Sequence, residues 1–526
     1  MAFKETPNHL FQPPKYKSNQ TFFDSYNDAL NNVGSSVNID VAAIQSYLSF
    51  GYVCGNRTLL QEVERQPWLS KIKDDKVILC DIPPHGLYKD DYNILADIFF
   101  KLLVEEAREV VKEFEEIYVL LSGGLDSRIA AGVLKHLYDN GELKSPPKAV
   151  SWGLEDSRDI VYAKILAEKL NFEWIHIPLT PEMVLQNIQV TAKDLGLLHS
   201  PEMLHSMLWF KNLPKNSLVI AGSFGDSIGR AEFSNLHLLQ LKHPKPIDKF
   251  NILKTEAQLL GQQKVSEDIN TLFKRSQNAK PYAHYEHFMQ GYRMRGGLCN
   301  ALSVINGNAK VYQIFTDPKV YGFIWSLHPS VRGNDIYIKL FERHLPEMSQ
   351  FPWARTNKAL GKKTVGAIKG LNLHYHDYTK WSKNELRNDL ENLVDFEWFD
   401  NLNLFNMESL DSLRKIIRSS EVRVGRANDI WFWLAGFRVF INHLEHQNKT
   451  LAKVNFTNDS DKNHLNSSKE TSFVEKLNTK ILNKNATLNT LSKQARAYYR
   501  SYETQKLKND FLKNYPSIKL NRDLFL

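Results

Sequence analysis

Between residues 117 and 128 the chain reads Ile-Tyr-Val-Leu-Leu-Ser-Gly-Gly-Leu-Asp-Ser-Arg. Five apolar residues predict a buried strand. They run into Ser122-Gly123-Gly124-Leu125-Asp126-Ser127, after which Ile129, Val133, Leu134 and Leu137 continue at helical spacing. A strand, a glycine turn and a helix N-terminus make an anion site. Glycines let the backbone approach an anion with no Cβ in the way. The first N–H groups of the helix lack internal partners and sit at its positive end. Ser122 and Ser127 add hydroxyls. Asp126 would repel phosphate, so a carboxylate there implies a shared Mg²⁺. A second turn, Ala221-Gly-Ser-Phe-Gly-Asp-Ser-Ile-Gly-Arg230, also follows an apolar run. Its Asp226 either joins Asp126 on one or two Mg²⁺ or caps a helix starting at Ser227 or Ile228.

The elements that position these residues are legible. Apolar runs predict strands at 117–121, 147–152, 173–177 and 217–221. Between the second and third, Ser157 is a natural N-cap, and Ile160, Ala163, Ala167 and Leu170 form a buried stripe. Strands alternating with helices predict an α/β fold with a parallel sheet. Ligands of such sheets bind outside the carboxyl ends of the strands, which places Ser122, Ser151 and Gly222 around one crevice. After about residue 235 the pattern turns helical. In the stretch 429–445, Trp431, Trp433, Leu434, Phe437 and Ile441 read as core.

Composition narrows the class. With 526 residues, 42% hydrophobic and 24% charged, the chain has room for two or three domains of an ordinary globular kind. No apolar leader opens it, and the run Ile430–Ile441 is too short to span a bilayer, so a cytoplasmic protein without a membrane role is expected. Cys54, Cys80 and Cys299 are far apart and suggest neither a zinc site nor disulfides. From 451 to 526 there are 14 Lys and Arg against 7 Asp and Glu, so the tail holds seven of the eight net positive charges. The nearly neutral body argues against nucleic-acid binding.

The first loop matches neither GxxxxGK[ST] nor GxGxxG. It resembles the SGGxDS loop of the ATP pyrophosphatases, which hold ATP and cleave between its α and β phosphates. The plainer alternative is a Gly-Gly turn with no ligand. Several further segments together resemble the synthetase domain of asparagine synthetases. Residues 122–127 match SGGLDS without departure. Ser151-Trp152-Gly153 with Ser157, Asp159, Ala163 and Ala167 resembles a second block, and Ala221–Gly229 resembles SGEGSDELFGG. Ile314-Phe315-Thr316-Asp317 is similar to PFLD, and Arg355 with Lys358 to a late Arg/Lys loop. On charge alone, the loop at 354–364 reads as a solvated surface loop, and Asp317 as a helix cap.

The resemblance covers about 96–445. It implies a sheet of the PP-loop ATP pyrophosphatase type (adenine nucleotide α-hydrolase-like), flanked by helices and followed by a helical C-terminal part. It implies that Leu121, Ser122, Gly123, Gly124, Leu125, Asp126 and Ser127 hold ATP, with Asp126 and Asp226 on Mg²⁺. Backbone near Val150 and Ser151, and Gly222, would meet adenosine. Lys358 would stabilise the departing pyrophosphate. The expected reaction is adenylation of a carboxylate, then attack by ammonia or an amine, as in asparagine biosynthesis. Ser223 and Ser227 stand where that family has acids, which detaches the acid substrate from aspartate and removes a candidate base.

Asp40–Leu59 and Ile82-Pro-Pro-His-Gly86 resemble the end of that family's glutaminase domain, so residues 1–95 read as its truncated remnant. The catalytic cysteine should lie at a processed N-terminus. Here Ala2 stands second and Cys54 is the nearest thiol, so glutamine hydrolysis is not expected. Nitrogen would come as free ammonia, as an amine, or from a separate amidotransferase subunit. Residues 448–526 read as a polar, basic extension. Leu488, Leu491, Ala495, Tyr498 and Tyr499 fall at helical spacing and fit a docking helix. Two other functions share the loop: a tRNA-modifying ATPase of the same class, and a degenerate nucleotide-binding interaction protein.

Overall fold

The computed structural model describes residues 13–82, 85–86, 88–230, 244–276, 281–307, 309–361, 363–419 and 425–452. Ala2, Pro83, Pro84 and the expected tail helix at 488–499 lie outside them. The central sheet has five strands: β1 (Ile117–Leu120), β2 (Lys148–Trp152), β3 (Glu173–Ile177), β4 (Ser217–Ala221) and β5 (Ala309–Gln313). Their order is β5-β4-β1-β2-β3, and every neighbouring pair is parallel. The first four lie where the apolar runs put them. β5 is an addition. Its sequence, Ala-Lys-Val-Tyr-Gln, carries little apolar signal because an edge strand need not be buried along its whole length.

Both faces of the sheet are buried, and side chains alternate between them. Val119, Leu121, Leu218 and Ile220 join one apolar cluster, while Tyr118, Leu120, Val219 and Ala221 join another. The chain runs outward from β1 through β2 to β3, then returns to lay β4 and β5 on β1's other side. The strand order therefore reverses between β1 and β4. A crevice opens at such a point, beyond the carboxyl ends of the strands.

The helices of the fold include α1 (Val41–Phe50), α2 (Tyr92–Val111), α3 (Leu125–Asp139), α4 (Arg158–Leu170), α5 (Pro181–Lys193), α6 (Thr255–Arg275), α7 (Pro318–Ser326), α8 (Asn334–His344) and α9 (Ala427–His446). Ser157 caps α4 as expected, accepting from the Ile160 N–H, and Ile160, Ala163, Ala167 and Leu170 are buried. Asp317 caps α7, accepting from the Lys319 N–H. The five aromatic and aliphatic residues singled out in 429–445 are all buried in α9.

Residues 16–63 pack into the same apolar cluster as α9 and the segment 378–417. One ion-pair bridge ties this region down. Arg57 binds Asp40 at the start of α1 at 2.9 Å and Asp268 of α6 at 2.6 Å. No helix among the described residues is long and apolar enough to cross a membrane.

Candidate nucleotide-binding and active site

The loop after β1 turns into α3 at Gly124, which has extended backbone angles and no side-chain cap. The amides of the first turn of α3, beginning at Leu125, are thus left for a ligand. The loop ahead of them is braced from within. The Ser122 and Gly123 N–H groups donate to the Ser127 hydroxyl (3.1 Å) and the Asp159 carbonyl (3.0 Å). Gly124 N–H donates to the Ser122 hydroxyl at 3.1 Å, and the two serine hydroxyls are 3.0 Å apart. Ser122 and Ser127 therefore shape the loop as well as offering hydroxyls at its mouth.

The glycines are required by contact. A Cβ on Gly123 would lie 2.7 Å from the Ala354 Cβ, and one on Gly222 would lie 2.8 Å from the Asp126 carbonyl. A Cβ on Gly225 would collide with the Asp126 carboxylate. The turn after β4 thus seats itself against the start of α3. It is a π turn, Gly225–Gly229, closed by the Arg230 N–H donating to the Gly225 carbonyl at 3.1 Å. Such turns insert an extra residue and recur at functional sites. Asp226 lies inside this turn, and its own Oδ1 accepts from the Ser227 N–H at 2.7 Å. It does not start a regular helix.

The structure brings Asp126, Gly222 and Asp226 together across the switch point. Asp126 Oδ1 is buried and has no hydrogen-bond partner among the described residues. An orphaned carboxylate oxygen beside an uncapped helix end suits a cation shared with phosphate. By that observation the residues present fit ATP with Mg²⁺. The other oxygen of Asp126 is taken: Arg230 Nη2 lies 3.1 Å from Oδ2. No group of three or more His, Cys, Asp or Glu side chains converges to hold a metal among the described residues.

Val150 and Ser151 act on the framework. Leu121 N–H donates to the Val150 carbonyl at 2.9 Å, and the Ser151 hydroxyl donates to the Leu121 carbonyl at 2.7 Å. Trp174 Nε1 donates to the same hydroxyl at 3.1 Å. Ser151 is buried, so its side chain joins the ends of β1 and β2 and leaves the backbone beyond them to face a ligand.

Lys358 is exposed at the end of a tight turn whose backbone pairs Trp353 with Lys358. That turn is tied to the first loop by the Ala354 N–H, which donates to the Gly123 carbonyl at 3.0 Å. The segment that follows folds over the second block. Arg158 N–H donates to Asn372 and Leu154 N–H to Tyr375, at 2.8 and 2.9 Å. Gly153, at φ 146°, allows this approach, since a Cβ there would lie 2.9 Å from the Tyr375 carbonyl.

The sequence reading missed several residues. Arg128 is buried within α3 and donates to the carbonyls of Gly123, Met348, Phe351 and Pro352, at 3.4, 3.2, 3.1 and 2.8 Å. It clamps the 348–354 segment onto the first loop. Its position three residues after Leu125, on the same helical face, was a usable signal. Arg230, Tyr337 and Trp353 carried none in sequence. The Arg230 guanidinium lies over the Tyr337 and Trp353 rings, at 5.6 and 5.3 Å from their centroids. Tyr337 also donates to the Gly225 carbonyl at 3.0 Å.

Asp159 sits under the first loop. Burial pushes its carboxyl up to about 6, against a bond from Gly123 that favours its charge. A carboxyl raised above its unfolded value of 3.8 adds stability that is full below that value and lost as pH rises through about 6. Asp159→Asn is therefore expected to gain in melting temperature relative to the wild type between pH 4 and pH 7. Parallel thermal melts check this, and a constant difference across that window would refute it.

The parallel sheet with a glycine loop, a helix N-terminus and a facing carboxylate at the switch point defines an α/β domain of the PP-loop ATP pyrophosphatase type. Residues 100–227 match the family model of asparagine synthase. The match takes in the first two blocks and the third as far as Ser227. The resembling segments at 314–317 and 355–358 lie beyond it. That family comprises ATP-dependent amide ligases. No curated protein matches the chain.

Proposed function

We propose that this protein is an AMP- and pyrophosphate-forming amide ligase without a glutaminase activity of its own. The observation that carries the reading is the orphaned, buried Asp126 carboxylate oxygen, set against the uncapped start of α3 and the Asp226 turn. Leu121 to Ser127 would cradle the phosphates, and backbone near Val150, Ser151 and Gly222 would border the adenosine. Mg²⁺ on Asp126 and Asp226 would draw charge from the phosphate oxygens.

A substrate carboxylate oxygen attacks the α-phosphorus, and the bond to the bridging oxygen of the β-phosphate breaks. Pyrophosphate leaves with that electron pair, and Lys358 on its exposed turn would offset the charge. Ammonia or an amine then attacks the acyl carbon, AMP departs, and the nitrogen gives up a proton. Ser223 and Ser227 cannot take that proton at neutral pH, and the buried Ser227 hydroxyl donates to the Phe224 carbonyl at 3.2 Å. Cys54 does not offer a thiolate for glutamine hydrolysis: it is fully buried, and burial pushes its thiol up to about 12.

The test is pyrophosphate and AMP release from Mg·ATP across a panel of carboxylates, aspartate first, each with ammonium and then with glutamine. Equal AMP and pyrophosphate with one acid plus ammonium, and none with glutamine alone, is the expected result. ATP binding with silence across acids and amines would sink the ligase reading. It would favour a nucleotide-binding protein without turnover, a reading that the Arg230–Asp126 pair also supports.

A further inference from the structure

Arg230 is placed where a phosphate-site cation would be needed. Its side chain is only 10% exposed and that of Asp126 17%, and the two are paired at 3.1 Å. The aromatic faces of Tyr337 and Trp353 fix the guanidinium plane. Burial opposes its charge, but Asp126, Tyr337 and Asp226 outweigh that and hold it protonated. Its own backbone N–H closes the π turn carrying Asp226. One residue therefore touches the start of α3, the β4 turn, α8 and the turn that presents Lys358.

The chemistry of the site calls for such a group. Pyrophosphate brings several negative charges to a pocket that already has two carboxylates. Asp126 and Asp226 are the only carboxylates in the two turns, 122–127 and 221–230, where Ser223 and Ser227 carry hydroxyls. Few acids suit few metal ions. A guanidinium presents five donors in a planar fork and can hold a carboxylate and a phosphate together. It needs no coordination shell and, stacked on two rings, little reordering when the anion arrives.

We propose that Arg230 is a pyrophosphate-binding residue whose guanidinium grips the β and γ phosphates and serves in place of a second divalent cation. The proposal rests on the ATP-cleaving reading of this site and adds a residue that neither the sequence motifs nor the family match assigns.

The full-length protein is titrated calorimetrically with inorganic pyrophosphate and, separately, with AMP, both with Mg²⁺ present. Arg230→Gln is expected to weaken pyrophosphate binding about 10- to 100-fold, the range for losing one charge-assisted contact, and to change AMP binding by less than about threefold. Arg230→Lys keeps the charge but loses the fork, and should weaken pyrophosphate by about three- to tenfold. Equal weakening of AMP and pyrophosphate would show a structural role and overturn the proposal. Unchanged pyrophosphate binding in Arg230→Gln would do the same. Should that variant fail to melt cooperatively, Arg230→Lys is judged by the same two criteria. A wild-type protein that binds pyrophosphate through Arg230 yet makes no AMP with any acid would sink the ligase reading alone. One that makes AMP with binding indifferent to Arg230 would sink only this proposal, and a wild type that binds no pyrophosphate would overturn it as well.

Discussion

Asp126→Asn is expected to lower pyrophosphate formation about 10³-fold, which corresponds to about 4 kcal/mol of lost transition-state stabilisation. The substitution keeps shape and volume and removes only the charge. Asp126 has one buried oxygen with no hydrogen-bond partner among the described residues, packed against Gly225, and holds Arg230 with the other. On the proposed role of Asp126, losing the charge would weaken the hold on Mg²⁺ and unbalance the guanidinium. The fold should survive, because Asn can still accept from Arg230 and because Asp226, Tyr337 and Trp353 still face it. A stability loss of about 1–3 kcal/mol is expected from the weakened pair. Pyrophosphate release and a thermal melt on the same preparation check both parts. Full turnover in this variant would take the carboxylate out of the chemistry.

The second large effect concerns a buried charge cluster behind the β4 turn. Glu286 and Arg332 are both fully buried, and both guanidinium Nη atoms lie 2.7 Å from carboxylate oxygens of Glu286. Arg332 Nη1 also donates to the Ile228 carbonyl at 3.2 Å, within the π turn that carries Asp226. His85 approaches Glu286 from the N-terminal region, and burial lowers its pKa despite that carboxylate. Burial alone would raise the Glu286 pKa, but Arg332 and then His85 hold it well below the carboxylate range. Arg332→Met would strand Glu286 in the core, and Glu286→Leu would strand Arg332. Each should cost about 3–5 kcal/mol. The double variant Glu286→Leu, Arg332→Met should cost less than either single change, because no charge is left unpaired. Urea unfolding of the three proteins measures the coupling. Additive losses would mean that the pair does not act as a unit.

How far the sequence reached depended on the physical signal each element leaves. β1, β2, β3 and β4 were legible as short apolar runs because the parallel sheet buries both of its faces. β5 was not, since Lys310 and Gln313 break the run at an edge. The first loop was legible because glycines, hydroxyls and a carboxylate at fixed spacing have few other uses. Asp226 was found, but its π turn was not, because an inserted residue leaves no periodic mark. Nothing local in the sequence marks Arg230 or Arg332 as buried, and the fold buries both. Three of the four carbonyls that Arg128 reaches lie more than 200 residues downstream. Local pattern cannot reveal a clamp of that span. On charge alone the stretch 354–364 reads as a solvated loop, and only the backbone bonds of Ala354, Asn372 and Tyr375 to Gly123, Arg158 and Leu154 reveal the part this segment has in the site.

The strand order has a consequence for how the protein is made. β4 pairs on one side with β1 and on the other with β5, which is encoded about 90 residues later. At translation rates of about 5–20 residues per second, β4 leaves the ribosome on the order of 5–20 s before its outer neighbour. During that interval Leu218, Val219 and Ile220 form an open, apolar sheet edge on the nascent chain. Arg332, Tyr337 and the 348–354 segment, which later lock the loops around it, emerge later still. The stretch 100–227 thus lacks the outer neighbour of β4, which is complete only at Gln313.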